Sequence, residues 1–482
     1  MRLMNTMISE KEKIKHLYAR AGFGMSIKQW QSQNNFTKSL DTIFQTKQYK
    51  KLESVTLSEV QAAKEKMKSM TKADVKDLKQ LMKSNVFELN NMWMSEMINS
   101  EAQLQEKMAL FWHGHFACRS VNPYFDQQYL DIIRKNALGS FAVLLKEVSK
   151  TPAMLQFLNN QQNKKDHPNE NFAREVMELF TLGRGNYIEE DINEAARAFT
   201  GFGFDKTGEF KFKAQQHDFG VKYFLGKSGN FSGDDILQII LEKKECAYFI
   251  TKKIYHFFVN DISDDSDETI IQQLANQFYQ SNYDIRSLMK SIFSSNWFYD
   301  EKNIGVKIKS PVELIAGMFR IIPTDFENKQ SIIFIQRTLG QILLNPPNVA
   351  GWPGGRNWID SSSLLFRMRL PQIVYYDKDL DIEPKEETPE SKMQAQQMKM
   401  ADEFVKKIAS KKLTATSDWS GITKYFSNEN DITNEIASVV LAKKADAVAL
   451  KTVKSHLDTS AKQNEIKSAM IHLLSWPEYQ LC

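Results

Sequence analysis

Apolar residues recur along most of this chain at the i, i+3, i+4 spacing that gathers them on one face of a helix. Glycine and proline, which interrupt helices, number only 20 and 12. The pattern therefore predicts a mainly α-helical, multi-helix globular array. Two helices are expected around a turn at residues 20–24, and one long helix over residues 87–117, ending near Gly114.

The segment 202–225 departs from this helical period. Apolar and polar residues alternate there around a glycine turn, which predicts a β-hairpin, and residues 221–225 are expected to form a third strand. Helix starts are predicted on either side of this segment. Thr151 followed by Pro152 is the signal well before it, and the capping box that begins at Ser232 is the signal just after it. Gly183 is expected to close a helix in the left-handed conformation. The helical array thus carries a small β-hairpin insertion near residues 202–225.

An acidic, proline-containing stretch near residue 380 predicts a linker or surface loop. It divides the chain into three parts: a main helical domain with the insertion (1–376), the linker (377–392) and a C-terminal helical subdomain (393–482).

Charge and cysteine content exclude several classes of protein. Lys and Arg number 63 against 59 Asp and Glu, for a net charge of +4, which argues against a nucleic-acid-binding protein. The cysteines Cys118, Cys246 and Cys482 are too far apart for a disulfide framework or a zinc cluster. No stretch of about 18 apolar residues suggests a membrane span, and no leader is recognisable at the start. A cytoplasmic location is therefore expected.

The greatest density of ionisable groups lies in residues 167–183, on one amphipathic helix. Arg174 and Glu178, four residues apart, are expected to pair on its polar side. Glu175 borders the apolar face, so its carboxylate is expected to be partly desolvated. Such a group either finds a cationic partner or has its pKa raised, as a general acid or base requires. A catalytic role and a structural role both stay open.

Two histidine-containing turns carry further candidate chemistry. His113 and His115 flank Gly114, and in a continuous helix their imidazoles would point about 200° apart. They are either ligands of a divalent metal together with Glu178, or residues that bond the free carbonyls of a helix end. His217 precedes Asp218, whose carboxylate could orient the imidazole as a base or ligand if the pair lies in a turn.

The loop 344–360 is the second distinctive segment, because its prolines and glycines forbid regular structure. It carries Trp352, Trp358 and Arg356, which are suited to stacking sugars or binding anionic groups. The alternative is that its tryptophans close a helical core.

Seven segments together resemble the family known as domain of unknown function 1800: residues 16–24, 108–115, 152–155, 169–183, 217–220, 309–313 and 345–355. The resemblance covers nearly the whole chain. It implies a mainly helical bacterial protein, often encoded beside a sulfatase-like protein.

Two hypotheses of function follow. The first is a pocket, with or without a divalent metal, that hydrolyses a polar saccharide or ester. Its catalytic residues would be Glu175, His217 and Asp218, its substrate-binding residues Arg174, Trp352 and Arg356, and its metal ligands His113, His115 and Glu178. The alternative is a non-catalytic partner or scaffold of a sulfatase-like enzyme, in which the charged motif is a buried structural network. The first hypothesis requires carboxylate and imidazole tips within about 5 Å of one another around a cavity.

Overall fold

The structure is a computed structural model that describes residues 8–45, 49–66, 71–120, 122–376 and 413–482. It confirms the mainly α-helical fold with small antiparallel hairpins. The predicted linker at 377–392 lies outside the described residues, and the division into domains stays a prediction. Within the described ranges, no helix is both long enough and apolar enough to cross a bilayer.

The helices of the first part are α1 Glu10–Ala21, α2 Ile27–Ser32, α3 Phe36–Ile43, α4 Leu57–Lys66, α5 Lys72–Asn99, α6 Gln103–His115, α7 Pro123–Asn136, α8 Phe141–Ser149, α9 Pro152–Phe157, α10 Asn171–Glu175 and α11 Glu189–Ala198. After the insertion follow α12 Gly233–Leu241, α13 Lys244–Phe258, α14 Asp265–Gln280, α15 Ile285–Ser294, α16 Pro311–Ile321, α17 Gln330–Leu339 and α18 Ser361–Tyr375. The last helices are α19 Ser420–Phe426, α20 Ile432–Val440, α21 Ala447–Lys454 and α22 Lys462–Leu474.

Side-chain caps explain several of these boundaries. The hydroxyl of Thr151 accepts the backbone N–H of Met154 at the start of α9, with Pro152 in the first turn, as the sequence predicts. Ser232 and Asp235 form the predicted capping box of α12.

Two helix predictions are wrong. Residues 87–117 are not one helix, because Ser100 accepts the N–H of Ala102 (3.0 Å) on its hydroxyl and separates α5 from α6. Residues 10–45 form three helices rather than two, since Ser26 and Asn35 each cap a new one. A short polar side chain that bonds the backbone locally favours a new helix start over continuation.

The insertion consists of two hairpins. The first is the predicted one: β1 Phe202–Phe204 pairs with β2 Phe210–Phe212. The predicted third strand forms as β3 Lys222–Phe224, but its partner is β4 Lys227–Gly229. Both residues of the connecting turn, Leu225 (φ 47°) and Gly226 (φ 83°), have positive φ angles, which suit the twist of a two-residue hairpin.

One cluster of buried apolar side chains extends from Ile14 in α1 to Tyr479 near the C-terminus. The C-terminal residues join it through β6 Ala415–Ser417, which pairs with β5 Thr324–Phe326. An ion pair lies within this core, since Arg134 donates two N–H groups to Glu106 (2.7 and 2.9 Å). Two bonds per pair are what makes a buried ion pair tolerable.

Candidate functional site

The motif helix changes its winding in the middle of the charged run. After α10, residues Val176–Thr181 form a π-helical turn. The N–H groups of Leu182 (2.9 Å) and Gly183 (3.1 Å) then share the carbonyl of Met177. Gly183 has φ 75°, the predicted left-handed conformation. Single π turns of this kind are found frequently at functional sites.

The predicted pair of Arg174 and Glu178 is wrong. Arg174 binds Glu170 (2.9 Å) and Glu189, and Glu178 accepts the Nε–H of Arg184 (2.6 Å). The π turn is the physical reason, because its wider winding displaces Glu178 around the helix axis and away from the side chain four residues earlier.

Glu175 is half-buried beside the apolar face, as the sequence predicts. Burial raises the pKa of its carboxyl, and the nearby charge of Glu178 raises it further. No side chain or backbone group of the described residues bonds to this carboxylate. Among the described residues, Glu175 is thus a carboxylate without an ion-pair partner, and its pKa is shifted in the direction that an acid–base group needs.

His115 contacts the end of the π turn. Its Nε2 lies 3.0 Å from the carbonyl of Phe180, and its Nδ1 lies 3.2 Å from Nζ of Lys253. Lys253 also donates to the carbonyl of Leu179 (3.1 Å). Burial lowers the pKa of His115 well below its usual value, with Lys253 contributing. The neutral imidazole therefore donates from Nε2 and accepts at Nδ1, so both nitrogens are engaged.

His113 is fully buried on the other side of α6. Its Nε2 accepts the backbone N–H of Leu344 (3.0 Å), a residue held at φ 64°. Burial lowers the pKa of His113 to about 3. Its ring lies 5.5 Å from the ring of Trp352 and 5.3 Å from that of Trp93. The structure thus brings together His113 and Trp352, which the sequence places in separate candidate segments.

His217 is oriented by the backbone. Its Nδ1 lies 2.8 Å from the carbonyl of Thr200, so Nδ1 carries the proton and Nε2 carries the lone pair. Its ring lies between Phe212 and Phe219, with centroids 5.0 and 4.7 Å away. Burial lowers the pKa of His217 despite the hydrogen bond to Thr200.

Asp218 fastens the insertion to α11. Its carboxylate accepts two N–H groups of Arg197 (2.8 and 3.3 Å), and this contact lowers the pKa of Asp218. Arg197 also binds Glu194 (2.9 Å), which in turn accepts the N–H of Tyr223 (2.8 Å). The carboxylate of Asp218 therefore binds an arginine rather than orienting the imidazole of His217.

The remaining candidates lie in the loop 344–360. Trp352 is partly exposed, Trp358 is buried and Arg356 is exposed. Trp358 is thus withdrawn from solvent, and Arg356 is available to it.

The predicted metal ligands His113, His115 and Glu178 each contact a different protein group. Across the described ranges, no three His, Cys, Asp or Glu side chains are placed together in a way that could hold a metal ion. A cavity of about 260 Å³ beside the insertion is lined by residues that include Gln128, Lys150 and Phe210, and by none of the predicted site residues.

A family model described as "Protein of unknown function (DUF1800)" matches residues 16–481. The chain belongs to this family. No curated protein and no solved structure matches it. Every residue discussed above as a candidate lies within the part of the DUF1800 chain that the family model covers.

Sequence reasoning missed two residues that organise these contacts in the DUF1800 chain. Lys253 lies between Ile250 and Ile254 on the buried side of α13, and burial lowers its pKa to about 8. A lysine within an apolar stripe is the signal that could have revealed it. Arg197 offered no comparable signal, because its partners Asp218 and Glu194 are brought together only by the path of the insertion.

Proposed function

We propose that this DUF1800 protein is a non-catalytic binding partner of a sulfatase-like protein and that it binds through its β-hairpin insertion. The observation that carries the proposal is an exposed apolar surface: Phe219, Val221 and Tyr223 are 58%, 55% and 69% exposed. With Phe212, these residues are called the aromatic face below.

The aromatic face lies on β3 and on the segment just before it. Phe219 and Val221 precede the strand and are exposed, Tyr223 is the exposed residue of the strand, and its neighbour Lys222 is buried. The ammonium of Lys222 donates to the carbonyls of Asp218 and Gly220 (3.1 Å to the latter). The lysine is thus used to hold the loop while the apolar side chains are left in solvent.

Exposed apolar residues that lie side by side are typical of protein–protein interaction sites, and aromatic residues supply much of the binding energy at such sites. The aromatic face is also held in place before any partner binds. Asp191 and Glu194 of α11 accept the N–H groups of Leu225 and Tyr223 (2.8 Å each). A surface that is already ordered loses less entropy on association.

The surroundings of the aromatic face indicate the chemistry of the partner. Lys213 follows Phe212 directly, and Lys165, whose N–H donates to Gln216 (2.8 Å), lies with Lys164 on the adjoining loop; all three lysines are exposed. A matching protein surface would have an apolar centre and acidic residues around it. The nearly balanced net charge of +4 favours a protein partner over a nucleic acid.

The contacts of the charged motif support the same proposal. His115 bonds the end of the π turn, Arg174 ties α10 to α11 through Glu189, and Asp218 ties the insertion to α11. The bonds of Arg174 and Asp218 hold α10, α11 and the insertion together, which fits a structural network better than an open reaction centre.

The test is calorimetric titration of the purified protein with a sulfatase-like protein of the kind that the family resemblance implies as its partner. Replacing both Phe219 and Val221 by Asp should weaken binding by more than about 10-fold, since charges would enter an apolar contact. Val448→Asp is the matched control, because Val448 is 73% exposed far from the insertion in sequence. Equal affinities for wild type and the double variant would contradict the proposal.

The two proteins must also share a compartment. We expect this to be the cytoplasm, and cell fractionation with antibodies against both proteins tests it. Recovery of the two proteins in different fractions would contradict the partnership.

A second candidate function is hydrolysis of a saccharide or ester with Glu175 as the acid–base group. The raised pKa of this unpaired carboxylate favours it, and Trp352 and Arg356 would form the substrate platform. The test is a panel of chromogenic esters and glycosides, each with and without added divalent metal. Glu175→Gln should abolish any turnover, while Glu189→Gln should preserve it. Unchanged turnover in Glu175→Gln would contradict this function.

A further inference from the structure

Buried arginines in the described residues fall into two kinds. Arg134 and Arg320 have partners for their guanidinium groups: Arg134 binds Glu106 and the carbonyl of Lys50, and Arg320 donates to several backbone carbonyls, including that of Ile98 (2.6 Å). The other two are Arg20 and Arg367.

Arg20 and Arg367 leave buried donors unpaired. Nη2 of Arg20 donates to the carbonyl of Asn303 (2.6 Å), and Nη1 of Arg367 donates to the carbonyl of Lys309 (2.9 Å). The Nε and Nη1 of Arg20 and the Nε and Nη2 of Arg367 are buried without a hydrogen-bond partner. Leaving charged donors unsatisfied in a core is costly, so these four groups call for an explanation.

Both arginines belong to one cluster of positive charge, which we name the cation cluster: Arg20, Lys107, Lys307, Lys309 and Arg367. The carboxylate of Glu313 acts electrostatically on Arg20, Lys309 and Arg367. Lys107 forms an ion pair with the same carboxylate. The extended segment with Lys307 and Lys309 pairs with the backbone of residues 480–482.

Two carboxylates of this region, Glu313 and Asp261, are already engaged. Glu313 accepts from Lys107 and from the N–H of Ser310 (2.6 Å), and Asp261 accepts from Lys307. A negative charge at Cys482 also acts on Arg20 and Lys309. The cations of the cluster still outnumber these negative groups. The carboxylates of Glu313 and Asp261 do not bond to the unpaired N–H groups of Arg20 and Arg367.

Burial lowers the pKa values of Arg20, Lys307, Lys309 and Arg367 and so disfavours their charged forms. Burial opposes ionisation of Glu313, yet Lys107 lowers its pKa to about 2. Burial lowers the pKa of Lys309 to about 8; the charges of Cys482 and Glu313 oppose this shift, and those of Lys107 and Arg367 add to it. Each added cation makes the next one harder to protonate, so an anion here would relieve several groups at once.

We propose that the cation cluster binds a tetrahedral oxyanion, phosphate or sulfate, at the unpaired N–H groups of Arg20 and Arg367. Nε and Nη2 of a guanidinium form the parallel pair of donors that grips two oxygens of such an ion, and Arg367 has both of them free. Lys309 is partly exposed, so the cluster reaches solvent on one side.

The site would connect three parts of the fold: α1 through Arg20, the segment before α16 through Lys309, and α18 through Arg367. Arg20 and Lys309 lie in two of the sequence segments, 16–24 and 309–313, that the proposed function leaves without a role. Water could satisfy the same N–H groups, but it would leave the excess charge uncompensated. The site is independent of the aromatic face.

The experiment compares thermal unfolding in chloride, acetate, phosphate and sulfate at equal ionic strength. Ion chromatography of the acid-denatured protein is run in parallel. In thermal unfolding, the stability of the wild type should rise with phosphate or sulfate and then saturate, as expected for a ligand of the folded state. If the ion is already bound after purification, ion chromatography should instead detect about one released oxyanion per chain. Arg367→Met should lose both the gain and the bound ion. In chloride it should be at least as stable as the anion-free wild type, because an apolar side chain of similar shape replaces an uncompensated charge.

Arg320→Met is the matched control, because Arg320 is buried with its donors paired. It should be less stable than wild type in every salt and keep the phosphate-dependent gain, which separates specific binding from the general effect of these salts. If Arg367→Met does not fold, Lys309→Gln provides the same comparison. An equal phosphate effect in wild type and variant, with no anion released, would overturn the site. Acetate as effective as phosphate would overturn its assignment to a tetrahedral ion.

Discussion

Gly351 packs directly against the backbone of Gly114, so closely that a Cβ atom on Gly351 would overlap the carbonyl oxygen of Gly114. Gly351 also has φ 75°, a conformation that favours glycine. The contact presses the loop 344–360 onto the end of α6. It brings Trp352 to within 5.5 Å of His113, between ring centroids.

Gly351→Ala should therefore destabilise the protein by about 2–3 kcal/mol, through strain and steric overlap together. Tryptophan fluorescence should change as Trp352 moves away from His113. Gly340→Ala is the matched control, since Gly340 has φ 89° but nothing within 4 Å of the position that a Cβ atom would take; backbone strain alone should cost about 1 kcal/mol. Chemical denaturation measures both, and equal losses would contradict the close contact.

Stability should fall as the pH drops below about 6.5, the usual pKa of histidine. Burial lowers the pKa values of His16, His113 and His115 in the folded protein. Between about pH 6.5 and 5 the unfolded chain therefore takes up protons that the folded protein does not. Each such histidine contributes a slope of about 1.4 kcal/mol per pH unit to the free energy of unfolding.

The variant His113→Gln isolates one of these contributions. Glutamine can keep an acceptor for the N–H of Leu344 but does not titrate. The pH dependence of its unfolding free energy should be shallower than that of wild type over the same range. A slope identical to wild type would show that His113 is not a buried neutral histidine.

Arg197→Met should loosen the insertion, because Asp218 and Glu194 would both lose their cation in a partly buried setting. We expect a loss of about 2 kcal/mol and faster hydrogen exchange of backbone amides in residues 217–225. Arg184→Met is the control: the Arg184 side chain, which pairs with Glu178, is 86% exposed, so stability should stay near that of wild type. Equal exchange in both variants would contradict the fastening role of Arg197.

Glu175→Gln should stabilise the protein slightly at pH 7, by roughly 1–2 °C in the midpoint of thermal unfolding. The raised pKa of Glu175 means that its ionised form is disfavoured in the folded state. The stabilisation should shrink as the pH falls toward the pKa of Glu175 and the wild-type carboxyl becomes neutral. A destabilised Glu175→Gln at pH 7 would point to a structural partner for the carboxylate.

Part of the candidate site follows from local patterns that sequence shows directly. The position of Glu175 beside the apolar face, the left-handed Gly183 and the hairpin at 202–212 depend on residues close together in the chain. Their periodicity and turn residues can be recognised in the sequence without knowledge of distant contacts.

The π turn could not be predicted in this way. Lys253 and His115 bond its carbonyls at Leu179 and Phe180 from other helices, and such contacts are not visible in a local pattern. For the same reason Arg174 and Glu178 do not form the predicted pair with each other, because a wider turn alters which side chains lie next to one another on the helix surface. Helix-wheel reasoning assumes a constant winding, and here the winding is set by tertiary contacts.

By itself, the sequence determined the helical class, the insertion, the caps of α9 and α12 and the half-buried state of Glu175, all of which arise from local periodicity and local hydrogen bonding. Only the tertiary structure decided the partners of the charged groups. In the folded protein Asp218 binds Arg197, His113 accepts the N–H of Leu344 and His115 bonds the π turn. Arg20 and Arg367 keep unpaired donors. The physical reason is that hydrogen bonds and ion pairs act over a few ångströms, so they depend on which distant segments the packed core brings together.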